Sequence, residues 1–189
     1  MSLPLSGSQT VGPYFSIGLS PLCSEEVASG AQGEAVIVEG QLLDADGAPV
    51  PDGFLEIWQA DGDGRYIMNK PASSAAEAVG FGRIRTRPDG SFRFATIKPG
   101  AVPYDAERMQ APHLVVLVFM RGLLRHLVTR LYFPDEPANL TDPVLQLVPA
   151  ERRSTLIAQA SGKPGTLNWD IVMRQPEANT KPETVFFAW

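Results

Sequence analysis

The stretch Ala111–Phe133, APHLVVLVFMRGLLRHLVTRLYF, constrains the fold more than any other part of the chain. Its apolar run, Leu114 to Met120, is too short to cross a bilayer and suits a strand buried on both faces. Gly122 breaks the run, and a second strand-like segment returns from about Leu124 to Phe133. The two predict the central hairpin of a β-domain. Any chemistry should lie where that hairpin carries polar groups: His113, His126 and Arg130.

The flanking sequence extends this into a fold class. With 17 Pro and 17 Gly in 189 residues, turns should be many and long helices few. Strands are predicted at Ala35–Leu43, Phe54–Gln59, Phe81–Arg87, Ser91–Ile97, Asn168–Arg174 and Thr184–Phe187, separated by turn signals such as Asp44-Ala-Asp-Gly47 and Pro88-Asp-Gly90. Glu151–Ala160 is the one helix the pattern supports. Lys98–Pro112 is a long connection leading into the hairpin, and such loops often line sites. The expected architecture is all-β, a β-sandwich of mixed and antiparallel strands with long loops and one short helix. Residues 1–34 are read as an extended arm and loop packing on a partner chain, and 35–189 as the sandwich domain. The arm carries Tyr14, Phe15 and Ile17, which need a surface to pack on.

Charge and composition exclude several functions. The net charge of −5 argues against nucleic-acid binding. The single cysteine, Cys23, rules out an internal disulfide and fits a reducing cytoplasm, where it reads as an ordinary thiol. The segment MSLPLSGSQTVGPYF has no basic n-region and no apolar h-region, so no secretory signal is expected. Asp61-Gly-Asp-Gly64 has the look of a calcium loop but lacks the Glu and the flanking helices of an EF-hand, so a turn is the better reading. Arg83, Arg85 and Arg87 fall on one strand face, either solvated or forming a charged interface. There is no H-x-H, H-E-x-x-H, phosphate loop, dinucleotide fingerprint or G-x-S-x-G elbow.

An ordered set of segments carries a resemblance over nearly the whole chain. These are Phe54-Leu-Glu-Ile-Trp-Gln-Ala60, Gly64-Arg-Tyr66, Ile97-Lys-Pro-Gly100, Ala111-Pro-His113 and Thr129-Arg-Leu-Tyr-Phe133. Together they resemble the intradiol ring-cleaving dioxygenases. Ser8-Gln-Thr-Val-Gly-Pro-Tyr14 and Glu183-Thr-Val-Phe-Phe187 resemble the α-type chains of members that act on protocatechuate as α and β pairs.

The resemblance implies a non-haem ferric iron held by two tyrosines and two histidines in catalytic chains. Carried over residue by residue, the first tyrosine is Tyr66 and the first histidine His113. The second tyrosine position holds Val102, with Tyr104 out of register, and the second histidine position holds Val115. The catalytic arginine position holds Gln110. Ferric iron needs a full shell of anionic oxygen and nitrogen donors. Tyr66 and His113 therefore read as remnants of a lost site, with Fe(III) bound by the partner β chain and not by this one. His126 reads as a structural or surface residue.

The further implication is an obligate heteromer that opens protocatechuate with O2 to 3-carboxy-cis,cis-muconate, this chain supplying no catalytic residue. Thr10, Gly12, Pro13 and Tyr14 of the arm and Arg130 would line the substrate cavity, the guanidinium matching an anionic aromatic acid. For Arg130 an interface or core ion pair is the other reading; for the arm, simple packing on the partner. A non-catalytic adaptor module and a self-sufficient iron dioxygenase are the rival functions. Phe186, Phe187 and Trp189, with Tyr14, Phe15 and Ile17, are apolar surface that an obligate partner would cover.

Overall fold

The computed structural model describes residues 7–28, 33–66, 80–173 and 181–188. In chain order these hold one α-helix, α1 (Pro13–Leu19), short 3₁₀ turns, and the strands β1 (Ala35–Leu43), β2 (Phe54–Trp58), β3 (Phe81–Arg85), β4 (Ser91–Ile97), β5 (Val102–Pro103), β6 (Met109–Gln110), β7 (His113–Phe119), β8 (Leu127–Tyr132), β9 (Gln159–Ala160), β10 (Thr166–Asn168) and β11 (Ile171–Val172). The stretch expected to be irregular at 67–80 lies, apart from Gly80, outside the described residues, as do Arg174 and Trp189.

Two sheets face each other, as a β-sandwich requires. One is antiparallel, in the order β3-β2-β7-β8. The other is mixed: β1 pairs antiparallel with β4 and parallel with both β10 and β11, while β9 adds to β10. Period-two alternation builds the core between them. Leu55 and Ile57 of β2, Leu114, Val116 and Val118 of β7, and Val38, Leu42 and Phe94 of the opposing sheet are fully buried. Gly40 allows β1 to serve two parallel partners, because a Cβ there would sit 1.8 Å from the Trp169 carbonyl oxygen, where the chain passes from β10 to β11.

Three expectations about elements are corrected. The arm is not extended throughout: α1 forms with Gly12 at its N-cap and Pro13 in its first turn. Proline needs no donor at that position, so the Gly-Pro pair starts a helix instead of preventing one. Phe15 anchors the helix on the rings of Phe54, edge-to-face with centroids 5.4 Å apart, and Phe119, tilted with centroids 5.6 Å apart. Second, 151–160 is not an α-helix. Ala150–Leu156 is 3₁₀, and the chain then runs extended, with Ala158 N donating to the Tyr132 carbonyl at 3.0 Å. Pairing along β8 wins over helix propagation. Third, Thr184–Phe187 forms no full strand: Phe187 makes one bridge to Val128, and Thr184 bonds β11 through its backbone N–H and its hydroxyl.

The arginine stripe is engaged within the chain, with Arg85 and Arg87 still exposed. Arg83 pairs with Glu56 across the strands, Arg87 with Glu25 at 2.7 Å, and Arg85 donates to Ser20 Oγ at 3.1 Å. It thus receives the chain's own segment 20–25. Beyond it Val27 and Ala28 are buried, and Val27 N bonds the Ala95 carbonyl. Among the described residues no helix is long and apolar enough to cross a membrane.

Candidate functional site

The register of the central hairpin arranges the site. His113 lies directly opposite Tyr132, and Val115 opposite Arg130. Since Leu114 and Val116 point into the core, these four residues share the outer face of the sheet. That face is roofed by a second apolar cluster of Ala111, Tyr132, Leu145, Val148, Leu156 and Val185.

Two neighbouring loops bring in the other positions. Asp61 Oδ1 accepts from its own turn, from Asp63 N at 3.0 Å and Arg65 N at 2.8 Å, which is the turn chemistry expected there. Gly64 takes φ +78°, and a Cβ would lie 2.1 Å from the Ala101 carbonyl oxygen. This close approach sets Tyr66 beside the loop carrying Val102. In the short β5–β6 hairpin Val102 is the partner of Gln110.

A polar chain runs through the centre. Arg130, only 6% exposed, donates Nη1 to Gln110 Oε1 (2.8 Å) and to the Tyr132 hydroxyl (3.3 Å). The Tyr132 O–H donates to Asp142 Oδ1 at 3.0 Å. Asp142 is fully buried and also accepts the N–H groups of Ala111 (2.7 Å), Val144 (2.9 Å) and Leu145 (2.6 Å). One carboxylate therefore fixes both the entry to β7 and the turn after β8, and supplies a counter-charge for Arg130. Tyr132 and Asp142 were missed from sequence. Tyr132 had a usable signal, being two residues from Arg130 on one strand face; Asp142 had none.

The field of Arg130 acts on the remaining donors. Burial pushes the His113 imidazole down to about 4; Arg130 adds to this, against the Ala111 carbonyl bonded to Nδ1 (2.8 Å) and against Asp142. Burial raises the Tyr66 phenol, with Arg130 pulling the other way. Burial raises Tyr132 as well. His113 is thus neutral at pH 7 and Tyr66 a neutral phenol, 47% exposed at the mouth of the site.

This donor set does not fit ferric iron. The second tyrosine and histidine positions are Val102 and Val115, Val102 being buried, and a guanidinium lies among the rest. Among the described residues no group of three or more His, Cys, Asp or Glu side chains could hold a metal.

The arm lies at the other end of the hairpin. Thr10 Oγ1 accepts from Gly122 N in the β7–β8 turn at 2.7 Å. Gly12 caps α1, and Tyr14 and Ile17 are 83% and 66% exposed. A cavity of about 220 Å³ lies between arm and turn, lined by Val11, Phe15, Phe119, Leu123 and His126. His126 is exposed, with its ring 5.3 Å from Phe119. The structure therefore brings together Tyr66, His113 and Arg130, but not Arg130 and the arm. Cys23 donates to the Leu19 carbonyl, and burial raises its thiol.

The comparisons with known proteins agree with this geometry. A family model described as "Dioxygenase" matches residues 11–175. The protocatechuate 3,4-dioxygenase alpha chain of Burkholderia cepacia is 43% identical, over 98% of each chain. The beta chain from the same organism is 33% identical over 93% of this chain and 78% of its own. Among solved structures, the dioxygenase domain of a dioxygenase carbohydrate-binding protein fusion from Streptomyces sp. SirexAA-E matches with a TM-score of 0.63 and 29% identity, over 80% of this chain and 88% of that one. Matched by that family model over most of its length and similar from end to end to these relatives, the chain belongs to the intradiol ring-cleavage dioxygenase family.

Proposed function

We propose that this chain is the α-type subunit of a protocatechuate 3,4-dioxygenase, working with an iron-bearing β chain to open protocatechuate with O2 to 3-carboxy-cis,cis-muconate. The family is iron-dependent. The observation that carries the reading is the conflict between full-length similarity to an alpha chain and a donor set unfit for iron, with Val102, Val115 and Gln110 at the decisive positions. A chain that keeps the fold but not the ligands contributes through its partner, and Fe(III) belongs to that partner.

The role left to this chain is to bind and orient. Thr10, Gly12, Pro13 and Tyr14 form a wall presented by the β7–β8 turn, with the exposed Tyr14 ring as its aromatic edge. Apolar side chains left uncovered on α1 suit burial by an obligate partner. Arg130 is the cation at the opposite end of the hairpin, which an anionic substrate would meet past Tyr66.

Co-expression with a β-type chain tests this. The expected product is a complex of both chains in equal amount, with iron assigned to the β chain and protocatechuate-dependent O2 uptake only when both are present. Iron bound and protocatechuate turned over by this chain alone, or no association, would overturn the proposal and favour the self-sufficient or adaptor readings.

A further inference from the structure

Three iron-ligand positions and the catalytic-arginine position of the related catalytic chains here converge on a guanidinium. Arg130 faces Val115 across the β7–β8 ladder. It donates to Gln110, which is paired with Val102. It also donates to Tyr132, which lies directly opposite His113 in the same ladder. Positions 102, 110, 113 and 115 therefore all lie beside Arg130 or a residue bonded to it. Nothing about a structural arginine in a generic core requires this convergence.

We propose that Arg130 is a resident cation that takes over the charge a metal would bring to this site and, balanced through Tyr132 by Asp142, keeps the site closed to metal ions. A buried guanidinium persists only if hydrogen-bonded and charge-compensated. Both conditions are met here, by Gln110 and Tyr132 in direct contact and by Asp142 one bond further on. The backbone donors of Ala111, Val144 and Leu145 hold that carboxylate in place. Repulsion between cations scales with the product of their charges, so a trivalent ion is disfavoured three times as strongly as a monovalent one at the same distance. The two missing ligands leave no means of binding iron, and the resident cation leaves no electrostatic room for it. This extends beyond the partner's catalytic role and is read on this chain's own metal content.

The test restores a donor with and without the cation. Val115→His is made alone, with Arg130→Met and with Arg130→Lys, in the full chain purified in the assembly it forms. Ferrous iron is added under air, and iron per chain and the visible phenolate-to-iron absorption are measured against the unsubstituted protein. The expected result is extra iron only in Val115→His/Arg130→Met, with a visible band that disappears on adding Tyr66→Phe. Arg130→Lys, which keeps the charge, should take up none. Extra iron in Val115→His alone or in the Arg130→Lys variant would overturn the proposal, as would a folded Arg130→Met variant that takes up none. If Arg130→Met fails to fold, Arg130→Gln replaces it, keeping hydrogen bonding without charge. Extra iron in Val115→His/Arg130→Gln then supports the proposal, and no extra iron overturns it.

Discussion

Replacing Asp142 by asparagine is the sharpest probe of the polar chain, because it keeps the side chain's shape. The carboxylate is fully buried and accepts four hydrogen bonds, three at Oδ1 and one, from Ala111 N, at Oδ2. An asparagine that keeps its oxygen at the Oδ1 position turns its NH2 towards the Ala111 N–H, donor against donor. One charge-assisted bond is lost, at about 1.5–3 kcal/mol, and a buried N–H is left unpaired, at about 1–3 kcal/mol. Arg130 also loses its compensating charge. The flipped amide is worse, since it forfeits three bonds for one. The sum is about 3–5 kcal/mol, or a fall in Tm of about 10 °C for a chain of this size. Urea denaturation of Asp142→Asn and the unsubstituted protein, in the same assembly and followed by circular dichroism and tryptophan fluorescence, measures it. A loss below about 1 kcal/mol would refute the idea that this carboxylate ties β7 to the turn after β8.

The other predictions are smaller in scope. His113 is depressed to about 4 in the folded chain, below its ordinary 6.5. The unfolded state therefore binds more protons between these values, so the contribution is complete above about pH 6.5 and withdrawn as pH falls towards 4. That span corresponds to about 3 kcal/mol, and His113→Gln should lose about that much less than the unsubstituted chain between pH 7 and pH 4; equal losses would refute it. Phe15→Ala should free α1 from Phe54 and Phe119 at a local cost of about 1–3 kcal/mol, seen as faster amide exchange of residues 13–19 with little change in global unfolding. Arg130→Ala in the assembled enzyme should raise KM for protocatechuate about tenfold with the partner's iron content unchanged; an unchanged KM removes Arg130 from substrate binding.

Much of the fold could be read directly, because the apolar run Leu114–Met120 is too short for a bilayer and is closed by Gly122, as a buried strand requires. That Leu114, Val116 and Val118 form its inward face was set by packing, whereas the ligand positions that the family resemblance assigns to Val102 and Val115 need no structure to recognise. Two of the corrected elements share one physical cause. Helix α1 and the 3₁₀ run at Ala150–Leu156 are short segments whose state is set by what they pack on: Phe54 and Phe119 in one case, the edge of β8 in the other. Local propensity is too weak to outvote such contacts.

Sequence alone determined the fold class, the family resemblance and the incomplete ligand set, since these rest on period, turn chemistry and residue identity along the chain. The commitment of Arg130 to Gln110 and Tyr132, the anchoring of both by Asp142 and the separation of Arg130 from the arm were decided only by tertiary structure. They depend on strand register and on loops distant in sequence folding back over one face, and no local pattern encodes which buried charge will find which partner.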